Sequence, residues 1–197
     1  GIAEAGGGMS RIVPTALLSR TVQMMTRQTV VHTVHRMVAS ELREALGTDD
    51  LEQLPPAKRE KVVQVIEDLS ETAPLQVALL VDTSASMKPK LAAVETAIRD
   101  LALSLQAREG KSLLSIFHYP GKSPESPDVE LIEGWTGNLA KLDQLFYKIN
   151  MKGATPTGPA IMKVIQYYLA GSIEDEATSR QAEEPHGEGG LLGDYVI

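Results

Sequence analysis

Asp82, Ser84 and Ser86 stand at alternate positions in the stretch Leu-Leu-Val-Asp-Thr-Ser-Ala-Ser-Met that spans residues 79–87. In a loop, an i, i+2, i+4 spacing can turn all three side chains toward one point. One carboxylate and two hydroxyls make an all-oxygen set suited to a hard cation such as Mg²⁺, with Mn²⁺ or Ca²⁺ as alternatives. The set is poor in negative charge. A bound ion would keep waters or an open position, and could accept a carboxylate from another molecule. The simpler reading of Asp and Ser ahead of a helix is an N-cap. A second hydroxyl loop, Gly153-Ala154-Thr155-Pro156-Thr157-Gly158, also stands just before a helical pattern. Alone it reads as a turn with Thr157 as cap. Two such loops in an alternating α/β pattern are less easily dismissed as caps alone.

The surrounding pattern says where these loops must lie. Residues 75–81 form a nearly all-apolar run, suited to a strand buried on both faces. Asp82 then falls at the carboxyl edge of that strand, where open α/β sheets bind ligands. A helical stripe follows in 87–108, with Leu91, Val94, Ala97, Ile98, Leu101 and Leu105 on one side. Strands are expected at 112–119 and 129–132, and helices at 139–149 and 157–169. This alternation implies an α/β layer fold with a mainly parallel sheet flanked by helices. Ahead of it, residues 1–10 are small and Gly-rich and read as flexible. One long helix is expected from Pro14 to a stop at Gly47. A second is expected from Pro56 to about Ser70, before Pro74. The organisation is therefore a helical extension over 1–74, an α/β domain over 75–170, an acidic flexible loop over 171–190, and the start of a further strand over 191–197.

Composition narrows the function classes. Aromatic residues are only 4% of the 197, so aliphatic side chains must fill the core. There is no cysteine, which excludes disulfides and thiolate metal centres and favours a cytoplasmic setting. No secretory signal and no apolar run long enough for a membrane span is evident; Arg20, Arg27, Arg36 and Arg43 punctuate the longest candidate. Net charge is −7, and residues 171–197 hold 7 of the 26 acids but 1 of the 19 bases. The acidity therefore belongs to the tail, and no basic footprint for nucleic acid remains.

The stretch at 79–87 resembles the first motif of the von Willebrand factor A (VWA) domain family, and the loop at 153–158 resembles its threonine loop. The resemblance covers roughly residues 75–170. It implies a Rossmann-like VWA fold with a metal-ion-dependent adhesion site (MIDAS). Asp82, Ser84 and Ser86 would be metal ligands and Thr155 the loop threonine, with Mg²⁺ as the ion. It further implies a non-enzymatic module that binds a protein partner's carboxylate. Intracellular prokaryotic members of that family work with AAA+ ATPases of the MoxR type, which makes such an ATPase the expected partner. Ala154 stands where the family has its second glycine. The family's later aspartate, which follows an apolar strand, has no counterpart; Asp194 precedes Tyr195-Val196-Ile197 instead. The expectation is that the last three residues begin that strand and that the aspartate lies beyond Ile197.

Other candidates carry less. His32 and His35 share one side of the first long helix, but no third ligand stands near them in sequence. His118 ends a strand and reads as structural, and His186 lies in the acidic tail. No Gly-Lys-Ser/Thr loop, no Gly-x-Ser-x-Gly elbow and no cysteine nucleophile is present, so the enzyme classes that need them are excluded. The helix expected over 14–46 exceeds the usual globular length. It supports an alternative reading as a structural subunit that assembles, as a homo-oligomer, through that helix.

Overall fold

A computed structural model describes residues 2–47, 50–124, 126–138 and 155–182. A short helix, α1 (Ile2–Ala5), replaces the flexible start expected from the glycines. A single 3-10 turn, Thr15–Leu17, leads into α2 (Leu18–Leu46). Gly47 ends α2 at φ 73°, with its N–H donating to Arg43 O at 3.0 Å. Only glycine adopts that left-handed conformation without cost, so the stop is set by this residue. α3 (Pro56–Thr72) starts on a proline, whose missing N–H is no loss in a first turn. Arg59 fixes the connection before it, donating to Leu51 O at 3.1 Å and Glu52 O at 2.7 Å.

β1 (Leu75–Asp82) follows, then a 3-10 segment Ala85–Lys90, α4 (Leu91–Gln106), β2 (Ser112–Tyr119) and β3 (Glu130–Thr136). The helix expected over 87–108 is thus split, because Pro89 cannot continue an α-helical ladder through its own position. α5 (Thr157–Ala182) runs well past the end expected near residue 169 and into the segment read as an acidic loop. The Ala, Glu, Arg and Gln residues of 173–182 have favourable helix propensity, and acidity alone does not oppose a helix. The helix expected at 139–149 and the strand start at 191–197 lie outside the described residues.

The expected Rossmann-like, mainly parallel VWA sheet is not what the described residues form. They make a three-stranded mixed sheet in the order β1-β2-β3. β1 and β2 pair in parallel, whereas β2 and β3 pair antiparallel. The reason is the connection. Parallel neighbours need a crossover of a dozen or more residues, which α4 supplies between β1 and β2. Between β2 and β3 stands only the short Pro/Gly/Ser loop of 120–129, which can return the chain antiparallel but cannot carry a crossover helix.

Strand alternation divides the core in two. Leu75, Val77, Leu79 and Val81 of β1, with Leu114 and Ile116 of β2, pack against Ile98, Leu101, Ala102 and Leu105 of α4. Val30 and Val34 of α2 and Ile66 of α3 join the same cluster, so the N-terminal helices share a core with the sheet. The opposite face brings Ala78, Phe117 and Tyr119 against Ala160 and Val164 of α5, with Leu80, Trp135 and Tyr167 around them. Helices therefore cover both faces of a small sheet.

Arg108 closes the end of the sheet away from the candidate site. Its guanidinium donates to Ser70 O and Ala73 O, both at 2.9 Å, and to Ser112 Oγ at 3.0 Å. The first two are terminal carbonyls of α3, which have no partner within the helix. Burial draws Arg108 below its ordinary pKa, with Glu71 opposing that shift. Beside it, Gly110 lies so close to the backbone of Thr72 and Ala73 that no Cβ fits without moving the chain. Replacing Arg108 by Met should strand both carbonyls and cost about 2 kcal/mol, read as a lower urea midpoint at an unchanged slope. An unchanged midpoint would remove this clamp from the account.

Candidate metal site at the carboxyl edge of the sheet

Asp82 is the last residue of β1 and continues the alternation of Ala78 and Leu80, which face α5. Its Oδ1 accepts the Ser84 N–H at 2.8 Å, a local turn that holds the carboxylate over the loop. Ser84 Oγ and Ser86 Oγ are hydrogen-bonded to each other at 3.1 Å. Ser84 stands at the N-cap of the following 3-10 segment, yet its side chain makes no capping bond, and none caps α4. The simpler reading as an N-cap therefore does not describe these hydroxyls. Asp82 is half-buried, Ser84 buried and Ser86 exposed, so the group opens to solvent through Ser86.

One carboxylate and two hydroxyls are donor types that suit a small hard cation. Octahedral bonds of about 2.1 Å put neighbouring ligand oxygens about 3.0 Å apart, and the two hydroxyl oxygens already stand at 3.1 Å. Among the described residues no basic side chain forms an ion pair with Asp82. No group of three or more His, Cys, Asp or Glu side chains converges among them either. An ion here would depend on the hydroxyls.

Thr155 is exposed and accepts the Thr157 N–H on its carbonyl at 2.9 Å. The direction of α5 places it. Lys163 reaches Asp128 at 3.4 Å, just before the start of β3, where Glu130 pairs with His118 at the carboxyl end of β2. A turn further on, Tyr167 meets Phe117 edge-on at 5.0 Å and Trp135 at 6.0 Å, and Tyr168 meets Trp135 at 5.5 Å; Trp135 stands beside Thr136, which pairs with Leu114 toward the other end of β2. α5 thus runs from the carboxyl edge of β2 toward its amino edge. Thr155, ahead of its first turn, lies at the same edge as Asp82. No hydrogen bond joins Thr155 to Asp82, Ser84 or Ser86. Gly153 and Ala154 lie outside the described residues, as does His186.

Beneath the loop is a buried polar group that sequence reasoning did not connect to it. Thr83 and His118, each 1% exposed, face each other at 3.2 Å between Oγ1 and Nδ1. Thr83 Oγ1 also lies 3.1 Å from Tyr119 O, which accepts the Thr83 N–H at 2.7 Å. On the other side, His118 Nε2 stands 3.4 Å from Glu130 Oε2. Glu130 also accepts the Lys122 N–H at 3.1 Å. Because an ionised carboxylate only accepts, Nε2 carries the proton in neutral His118, and the one Thr83 hydroxyl proton serves two acceptors, Nδ1 and Tyr119 O. The signal that could have found this group is alternation: if Asp82 and Ser84 face one way, Thr83 must face the other. His32 and His35 are both exposed on α2.

Carboxylate, hydroxyls and fold together define an α/β protein with an oxygen-lined loop at the carboxyl edge of a mixed sheet. The chain belongs to the family of an uncharacterized protein from Alicyclobacillus acidocaldarius. The crystal structure of that protein matches it at 40% identity and a TM-score of 0.80, over 88% of this chain and 73% of the other. It is also 46% identical over 162 residues to the uncharacterized protein YabS of Bacillus subtilis, covering 82% of this chain; the chain spans 65% of YabS. No family model matches the sequence. No helix among the described residues is long and apolar enough to cross a membrane.

Burial pushes His118 below its ordinary pKa, with Glu130 opposing and Lys122 reinforcing the shift. The unfolded chain, with histidine near its ordinary value of about 6.5, then takes up a proton that the folded chain resists. Folding stability is full above that pH and falls as pH is lowered below it toward the folded value. Thermal melts between pH 7.5 and about 5.5 should show a falling midpoint, and His118→Asn should flatten the fall. An equal slope in the variant would contradict this assignment.

Proposed function

We propose that the chain is a non-enzymatic, metal-dependent protein-binding module. Asp82, Ser84 and Ser86 would hold Mg²⁺ or a similar hard cation, Thr155 would approach from the second loop, and a partner's carboxylate would complete the shell. The observation that carries this reading is the pair of serine oxygens at 3.1 Å beside Asp82, with neither hydroxyl spent as a cap. The charge balance agrees with it. One carboxylate leaves a divalent ion with net positive charge, so an anionic ligand from outside is favoured. The resemblance of 79–87 and 153–158 to the metal-site loops of VWA domains supports the same chemistry. It names a MoxR-type AAA+ ATPase as the partner class to try first. A cysteine-free chain suits a reducing compartment, and the cytoplasm is the proposed setting.

Titration with Mn²⁺ tests the reading. The wild-type protein should bind one ion, and Asp82→Ala should weaken binding at least tenfold. Capture of a MoxR-type ATPase should fall to background with chelator and with the variant alike. Equal Mn²⁺ affinity in the two proteins would overturn the proposal.

A further inference from the structure

We infer that Thr83, His118 and Glu130 are positioning residues: a chain of polar contacts beneath the loop, buried at Thr83 and His118 and half-exposed at Glu130, that sets where Asp82 and Ser84 present their oxygens. The inference builds on the metal reading but rests on its own geometry. β1 formally ends at Asp82, where it pairs with Tyr119. Thr83 extends the attachment by one residue, through its N–H to Tyr119 O at 2.7 Å and its hydroxyl toward His118 Nδ1 and Tyr119 O. A residue anchored by both backbone and side chain leaves its two neighbours little freedom. With Thr83 turned down into the α4 side of the sheet, Asp82 and Ser84 must turn up.

The chain reaches across all three strand ends. Val81 pairs with His118, and His118 with Glu130, so Thr83, His118 and Glu130 come from β1's end, β2 and β3 in turn. Leu114 and Ile116 alternate with His118 on the face that meets α4, which puts the imidazole on the side where Thr83 points. Glu130 is the outermost member, fixed by the Lys122 N–H at 3.1 Å. A serine pair in solvent would sample many rotamers. Holding the backbone at Thr83 narrows the positions open to the Ser84 hydroxyl, which bonds Ser86 Oγ at 3.1 Å. Partners that hydrogen-bond a metal ligand matter about 10- to 100-fold in affinity; Thr83 acts through the backbone it anchors, so the lower end of that range is expected.

The test compares Thr83→Val, which keeps shape and removes the hydroxyl, with Thr83→Ser, which keeps the hydroxyl. In metal-free protein, exchange of the Ser84 amide, which is bonded to Asp82 Oδ1, should accelerate in Thr83→Val and stay near wild type in Thr83→Ser. Mn²⁺ affinity should follow, falling about tenfold in Thr83→Val and by less than about twofold in Thr83→Ser. Thr83→Val and His118→Asn should be non-additive when combined, since both break one chain. Wild-type exchange in Thr83→Val, or equal acceleration in both Thr83 variants, would overturn the inference. So would accelerated exchange with unchanged Mn²⁺ affinity. If neither wild type nor Asp82→Ala binds Mn²⁺, the metal reading falls, and the exchange comparison alone decides whether Thr83 positions the loop.

Discussion

The arrangement depends on the parallel pairing of β1 with β2 being carried one residue beyond the strand by Thr83. Up to Asp82 the register is an ordinary ladder from Leu75↔Ser112 to Asp82↔Tyr119. Beyond it, the chain would be free to leave the sheet at any angle. The Thr83 N–H and hydroxyl remove that freedom, and the cost of burying a hydroxyl and an imidazole is offset because each finds a partner. Position 83 faces the core as an anchor, and positions 82 and 84, on the other side of the chain, are the proposed ligands.

The two helical layers matter because they fix the sheet edge from both sides. α4 packs on the face that receives Thr83 and His118, through Ile98, Leu101 and Leu105. α5 packs on the face toward which Asp82 points, through Ala160 and Val164. α5 descends from the carboxyl edge, so its preceding loop, with Thr155, shares that edge with Asp82. The N-terminal helices brace this frame from outside: α2 lays Val30 and Val34 into the α4 cluster, and Ser19 bonds Asp100. At the far end, Arg108 and Gly110 lock the end of α3 to the start of β2.

The sequence was informative where local signals dominate. The apolar run of 75–81 followed by Asp82 was enough to locate β1 and the loop, and Gly47 and Pro56 marked helix ends that the structure keeps. It was misleading where connection length decides. The alternation of strand and helix patterns implied a mainly parallel sheet, but the loop of 120–129 is too short for a crossover, and β3 turns back antiparallel. It was silent where the partner lies far along the chain. Nothing near Thr83 in sequence announces His118 or Glu130, and His118 alone read as a structural residue. Only the register, which sets Val81 beside His118 and His118 beside Glu130, joins them. The helix through 171–182 was obscured by its acidic composition, which masked a favourable helix propensity.

The proposed cation site is made of the oxygens of the 82–86 loop and not of the acidic stretch of 174–184. Paramagnetic broadening by Mn²⁺ in amide spectra locates a bound ion directly. Substoichiometric Mn²⁺ should broaden the amides of Ser84, Ala85, Ser86 and Met87 first, with Thr157 next, and leave α2 unaffected. Broadening centred on residues 174–184 with the Ser84 and Ser86 amides unchanged would contradict it.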